Sequence, residues 1–392
     1  MTWNPDASRV RLGQRSLFAD LEPFAYLNHA AISPPSAEVR RAVQAVLDDY
    51  ATIGGVPAFV RWRDQRERLR ERLARLIGAA PSELAFMPST TRAVVDAALS
   101  LPWKRGDRIV CLRGEFPTNV TPWQAAARTF DLEVVMHETD DFRTDAGLEA
   151  LKAELAKGAR LVAVSAVQFQ TGLRMPLAEM AAAAHEAGAE LFVDAIQAIG
   201  VVPFDVRALG VDYVACGSHK WLMGTEGAGF LFVREGLELV PRTAGWLSHE
   251  DALRFLFEGA GHLRYDRPLK SDPTLFESGA TNALGFAALE ASVAAIESIG
   301  VDGIFEHVQR YHDALEPALI DRGFTSERHA TLRSGILSAV PPEGTDLAQL
   351  VKSLGALGVA VSHPDGRLRF APHWPNALSE VPRVVRALDT CL

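Results

Sequence analysis

Between about residues 82 and 234, short β-rich, mostly apolar runs alternate with longer Ala-rich runs of helical period. The apolar runs at 84–87, 108–112, 133–137, 161–166, 190–193, 213–215 and 229–233 predict strands. Their lack of in-out alternation is what a mostly parallel sheet covered on both faces requires. The runs at 92–101, 123–130, 146–155 and 177–187 predict the covering helices, the last closed by Gly188 at the position where a left-handed residue ends a helix. After an aromatic and charged stretch over 246–272 the pattern changes to helices near 284–299 and 302–322, short strands at 335–340 and 367–370, and a final helix after Pro382. The expectation is an α/β protein: a large domain over 26–265 built on a seven-stranded, mostly parallel sheet, a smaller α+β C-terminal domain over 266–392, and an N-terminal segment, 1–25, packing on the smaller domain.

Composition agrees with a folded chain that can bury a deep site, since 392 residues at 48% hydrophobic exceed one small core. A net charge of −9 with scattered basic residues gives no footprint for nucleic acid. The basic run over 61–75 interleaves Asp64, Glu67 and Glu71 at helical spacing, which reads as a solvated face of i,i+4 pairs. Cys111, Cys216 and Cys391 show neither CxxC spacing nor an even count, so no disulfide framework or zinc site is expected. No apolar stretch approaches a membrane span and the start, MTWNPDASRV, has no secretory apolar region, so a soluble, cytoplasmic protein is expected.

In an open α/β sheet, ligands bind beyond the carboxyl ends of the strands, and three such positions carry chemistry here. Ser89-Thr90-Thr91 follow the first strand and open a helix, offering hydroxyls and free N–H groups at the positive helix end, a seat for phosphate. Asp194 ends the strand at 190–193, with Gln197 three residues on. The next strand runs into Cys216-Gly217-Ser218-His219-Lys220-Trp221, which sets a lysine beside an apolar strand end and a glycine-rich turn, a plausible place for a desolvated amine nucleophile. Each feature alone is commonplace; the three in successive parts of one sheet form a set. The histidines show no HxH or HExxH spacing there, so no metal is expected, and the glycines of GTEGAG lead into a strand, which disfavours a dinucleotide site.

FVDAIQAIG followed by Ser218-His219-Lys220 resembles the class V aminotransferase group of fold type I pyridoxal phosphate (PLP) enzymes, which includes cysteine desulfurases, kynureninases and isopenicillin N epimerase-like proteins. The resemblance runs from Tyr26-Leu27-Asn28 to Arg369. It implies that Lys220 forms a Schiff base with PLP and moves protons at Cα, that Asp194 pairs with the pyridine nitrogen, and that Gln197 bonds the ring's phenolic oxygen. It implies that Phe116, in Glu115-Phe116-Pro117-Thr118-Asn119, stacks on the ring, with Asn119 and Gln168 also in the cofactor site. Ser89, Thr90, Thr91 and Ser218 or His219 would hold the phosphate; relatives add a contact from a neighbouring subunit in a segment resembling 277–282, where Ala280 holds the usual threonine position here, so in a homodimer with shared sites that contact would come from Thr281, from backbone N–H groups, or be absent. Arg369 would grip the substrate α-carboxylate through two parallel bonds, and Asn28 and His29 would border the substrate.

For the reaction, the resemblance implies a PLP-dependent enzyme acting on an amino acid, with transamination as the main expectation and epimerisation or kynureninase-like Cβ–Cγ cleavage as alternatives. Cysteine desulfurases need a thiol on the loop before the carboxylate arginine, and this chain has Val361-Ser362-His363-Pro364-Asp365-Gly366 there. A binding module without catalysis is disfavoured, because a scaffold has no need of Lys220, Asp194 and Gln197 together.

Overall fold

The computed structural model describes residues 10–392; of the 1–25 segment, residues 1–9 lie outside the described residues. In chain order the first half contains β1 (Ala25–Tyr26), α1 (Ala37–Thr52), α2 (Gly55–Ile77), β2 (Leu84–Met87), α3 (Thr90–Ser100), β3 (Arg108–Arg113), α4 (Thr121–Phe130), β4 (Glu133–Glu138), α5 (Asp145–Leu155), β5 (Ala159–Ser165), α6 (Leu177–Glu186) and β6 (Glu190–Asp194). There follow α7 (Val206–Leu209), β7 (Tyr213–Gly217), β8 (Gly229–Val233), α8 (Arg254–Phe257), α9 (Ala283–Ile299), α10 (Val301–Ile320), β9 (Thr325–Ser326), β10 (Leu337–Val340), α11 (Leu347–Ala356), β11 (Val359–Ala360), β12 (Leu368–Phe370) and α12 (Val381–Cys391).

The seven expected strands form one sheet in the order β2-β8-β7-β6-β5-β3-β4, in which only β8 runs antiparallel to its neighbours. β2, β7 and β8 are buried throughout, as continuous apolar runs between two helical layers must be. Two apolar clusters line the opposite faces: Val110, Val162, Val193, Val214 and Phe230 on one, Ile109, Leu161, Phe192, Tyr213 and Leu231 on the other. β12, β10 and β9 make a second, antiparallel sheet whose core includes Tyr311, Leu315, Leu354 and Leu388.

Two features depart from the sequence expectation. Although α9 lies within 266–392, it packs on α1 and α2, and Phe286, Leu289, Val293 and Ile296 enter the main core. Its near-continuous apolar sequence reflects contact on several sides at once. The basic face of α2 also turns inward: Arg70 is buried and pairs with Glu277 at 2.7 Å, Arg68 with Glu290 at 3.2 Å, and Arg72 with Glu297. The pairs are therefore mainly tertiary and not the i,i+4 pairs that the spacing suggests.

The N-terminal segment joins both parts of the molecule. Leu17 and Phe18 enter the main core, the Gly13 N–H donates to the Trp374 carbonyl at 2.7 Å, and β1 pairs in parallel with β11. Gly200, at φ +106, passes so close to the chain after Lys220 that a Cβ there would stand 2.4 Å from the Trp221 carbonyl oxygen. Gly200→Ala is expected to lower the unfolding free energy by about 2 kcal/mol or more, combining backbone strain and a clash with main chain, read from the midpoint of urea unfolding.

Candidate active site

The carboxyl ends of β5, β6 and β7 lie side by side, and Arg369 on β12 reaches the Phe169 carbonyl on the loop that follows β5. Ser165 ends β5, Asp194 ends β6 directly opposite it in register, and Lys220 lies three residues beyond the end of β7. The Lys220 backbone is clamped: its carbonyl accepts the Met223 N–H at 3.0 Å and the Ser33 hydroxyl at 2.6 Å, while the neighbouring His219 carbonyl accepts the Ser33 N–H at 2.7 Å. Because the Ser33 hydroxyl proton goes to that carbonyl, His29 must donate from Nδ1 to Ser33 Oγ, at 2.7 Å. The same logic fixes His373, whose Nδ1 accepts the Trp374 N–H and whose Nε2 therefore donates to the Trp221 carbonyl.

The electrostatics single out the lysine. Desolvation pulls the Lys220 amine down to about 8, with Asp194 acting against it and Arg369 with it. Burial pushes Asp194 up to about 6, although the Ile196 N–H donates to its Oδ1 at 3.0 Å and Lys220 favours its charge. Arg369, on β12 and buried, donates from Nη1 to the Phe169 carbonyl at 2.7 Å and from Nε to Ser362 Oγ at 3.1 Å. Desolvation lowers it to about 10. No carboxylate pairs with it among the described residues, so the remaining N–H groups on Nη1 and Nη2 form an anion site. The ring of Phe116 lies 5.5 Å from Lys220 Nζ and meets Phe169 edge to face at 5.3 Å.

The site fits PLP by its own unmet polar groups. Thr90 Oγ1, at the start of α3, is buried without a partner, and the backbone at Gly217 leaves the space before it open: a Cβ there would stand 3.0 Å from that oxygen and 3.5 Å from His219 Nδ1. Ser89 caps α3 by accepting the Arg92 N–H, and the Thr91 hydroxyl meets Thr118 Oγ1 at 2.8 Å. Asn28 Oδ1 is likewise buried and unpartnered, whereas the Asn119 side chain accepts the Trp123 ring N–H at Oδ1 and turns its amide nitrogen toward Glu115. A helix start with an open hydroxyl, an aromatic face, a strand-end carboxylate and a desolvated amine would hold the phosphate, ring, ring nitrogen and aldehyde of that cofactor.

A family model described as aminotransferase class-V matches residues 25–368. The chain belongs to the class V aminotransferase family. Its cofactor is PLP, and it is an enzyme acting on an amino acid. This class V chain is 28% identical over 373 residues to a Bacillus subtilis protein named uncharacterized aminotransferase YcbU, covering 94% of each. It is 32% identical over 294 residues to a cysteine desulfurase of Dickeya dadantii, covering 73% of this chain and 69% of that one. Among solved structures it is similar to an apo cysteine desulfurase from Thermococcus onnurineus, with a TM-score of 0.83, 25% identity, and coverage of 100% and 98%.

Within this class V site, several residues expected from the sequence hold their polar groups elsewhere. Gln168 is buried and saturated by its own and a neighbouring loop, bonding Gln170 and Thr171 on the first and the Gly114 carbonyl on the second. The Ser218 hydroxyl donates to the Thr225 carbonyl. Gln197 donates to the Ala30 carbonyl at 2.9 Å and accepts the Trp221 ring N–H at 2.8 Å, which leaves one amide N–H free. His29 is packed among Tyr26, Trp221 and His373 and supports the lysine from behind. Thr281 accepts from Arg66 at 2.6 Å within its own chain. Sequence reasoning missed Ser33, which clamps the lysine, and Phe169, which joins Phe116 to Arg369; a serine before two prolines and a phenylalanine in a loop give no pattern signal.

Arg369→Leu is expected to weaken the response of the visible absorbance to added amino acid about 30-fold, since a charge-assisted carboxylate bond is worth about 2 kcal/mol, while PLP still binds. Asp194 is raised from 3.8 to about 6 in the fold, so its ionisation costs stability as pH rises through that interval. Asp194→Asn is therefore expected to raise the unfolding free energy of the cofactor-free protein at pH 8 by up to about 3 kcal/mol, and to leave it nearly unchanged at pH 4, read from urea unfolding.

Proposed function

We propose that this class V enzyme acts at the Cα of a free amino acid, with Lys220 as the group that takes and returns the Cα proton, and that transamination is its main reaction. The observation that carries this is the desolvated Lys220 amine, at about 8, set above Phe116 between Asp194 and Arg369. A base titrating near neutrality is available without giving up proton affinity.

When bound, PLP supplies an aldehyde for the substrate amine and a ring that withdraws the electron pair left at Cα. The protein does the rest. Arg369 receives the α-carboxylate on its free N–H groups and, being tied to Phe169 and Ser362, fixes where Cα lies. Lys220 Nζ holds the Cα proton and delivers it again. Asp194 holds a proton at the ring nitrogen, and that new cation relieves the cost of its own burial. Phe116 and Phe169 keep water from the ring face, and Thr90 with the first turn of α3 anchors the phosphate.

A persulfide-forming reaction lacks its nucleophile: Cys111 and Cys216 are buried on β3 and β7, Cys391 ends α12, and none lies on the loop before Arg369. The proposal includes a homodimer. Trp246, Leu256, Phe257, Leu263 and Tyr265 are exposed, several of them lining a groove of about 880 Å³ that reaches Gly279–Thr281, which supports a second copy covering that face. A cytoplasmic location belongs to the same proposal; among the described residues no single helix is long and apolar enough to cross a membrane.

Lys220→Ala is expected to abolish the visible absorbance of bound PLP and all activity, and Thr90→Val to weaken PLP about tenfold, a loss of about 1.4 kcal/mol. A panel of amino acids should give keto acid in single turnovers. Cα–deuterium exchange without keto acid would instead establish an epimerase, and alanine release from kynurenine a lyase; unchanged absorbance in Lys220→Ala sinks the whole reading.

A further inference from the structure

Glu115, two residues past the end of β3, is a half-buried carboxyl at the edge of the site with no part in the chemistry above. Its Oε1 accepts the Ser165 backbone N–H at 2.6 Å and its Oε2 meets the Ser165 hydroxyl. Pairing of β3 with β5 stops at Cys111–Ala163, so the Ser165 N–H lies beyond the ladder and the glutamate takes the place of a strand partner. On its other side Ser165 stands in register with Asp194. Two carboxyl groups thus reach one strand end from the two neighbouring strands.

The surroundings supply one compensating charge at most. The titratable groups facing Glu115 are Asp194 on β6 and Cys111 on β3, with Lys220 beyond Asp194; Ser165 and Asn119 are neutral. Burial holds the Cys111 thiol protonated. The ring-nitrogen proton balances Asp194, and a second buried carboxylate there would have no cation of its own.

We propose that Glu115 is a positioning residue of the cofactor site: a neutral carboxyl that locks Ser165 at the end of β5, so that Asp194 alone presents negative charge to the ring nitrogen. This rests on the assignment of Asp194 to that nitrogen. Desolvation first, and Asp194 after it, push Glu115 up to about 7, against opposing bonds from Ser165. A carboxyl raised in the fold stabilises the protein relative to its ionised form at low pH, and that advantage is lost as pH rises through 7.

The test uses PLP dissociation constants, the pH titration of the holoenzyme's visible absorbance, and melting temperatures of the cofactor-free protein at pH 5.5 and 8.5, for wild type, Glu115→Gln, Glu115→Ala and Asp194→Asn. Glu115→Gln, which keeps a neutral group of the same shape, is expected to bind PLP as wild type does at pH 5.5 and to exceed wild type in melting temperature by more at pH 8.5 than at pH 5.5, since the cost of ionisation grows from the ordinary value of 4.5 up to about 7. It should also lack the absorbance step that ionisation of Glu115 adds near neutrality. Glu115→Ala, which frees Ser165, is expected to weaken PLP about tenfold at both pH values, the usual scale for a lost supporting group. Loss of PLP affinity by Glu115→Gln at pH 5.5, or a melting difference equal at both pH values, overturns the proposal. An Asp194→Asn spectrum identical to wild type instead overturns the ring-nitrogen assignment, so the two failures are told apart.

Discussion

An amine removed from water loses the hydration of its charged form, and at Lys220 that loss outweighs the attraction of Asp194, the carboxylate acting on it. Most other features of the site follow from this imbalance. The lysine must be held at depth, so its backbone carbonyl is bonded twice and the residue after it, Trp221, is wedged beneath Gly200. Asp194 must tolerate a buried charge before any ring nitrogen arrives, and it is given one backbone N–H and no arginine. A closer cation would stabilise the carboxylate and spoil it as a proton-holding partner.

The scaffold meets these demands by bringing remote segments together. The 26–33 stretch runs beside the 371–374 stretch, and both pack on the peptide that carries the lysine through Ser33, His29 and His373. Burial drives both histidines down, His373 to about 4, so near neutral pH they are uncharged donors and acceptors and not acids. Phe169 forms a second bridge: its carbonyl orients Arg369 while its ring backs Phe116. In the proposed site, substrate grip and cofactor packing are thereby coupled through one loop residue.

Relatives of this chain include cysteine desulfurases and a protein named as an aminotransferase, and one fold serves both. The proposed reaction rests on the absence of a thiol from one loop. The loop before Arg369 carries Ser362, whose hydroxyl is committed to the guanidinium, and Asp365, which accepts from Gln170 at 2.8 Å. Those bonds tie the loop to β12 and to the loop after β5, and it carries no thiol.

By itself the sequence determined the seven strands of the main sheet, the class of the chain, and the strand-end positions of Asp194, Lys220 and Thr90, because apolar runs, helix starts and short motifs are local properties of the chain. Tertiary structure alone decided which polar groups remain free once the chain is folded. Gln168 and Ser218 sit in the right motifs but spend their hydrogen bonds on neighbouring loops, whereas Ser33, Phe169 and Glu115 carry no pattern and are brought in by contacts across the fold. The arginines of α2 follow the same rule, since their helical spacing was legible and their glutamate partners on or near α9 were not. Spacing fixes the face on which a side chain lies; only packing fixes what meets that face, and a buried donor or acceptor is free for chemistry only if nothing nearer has claimed it.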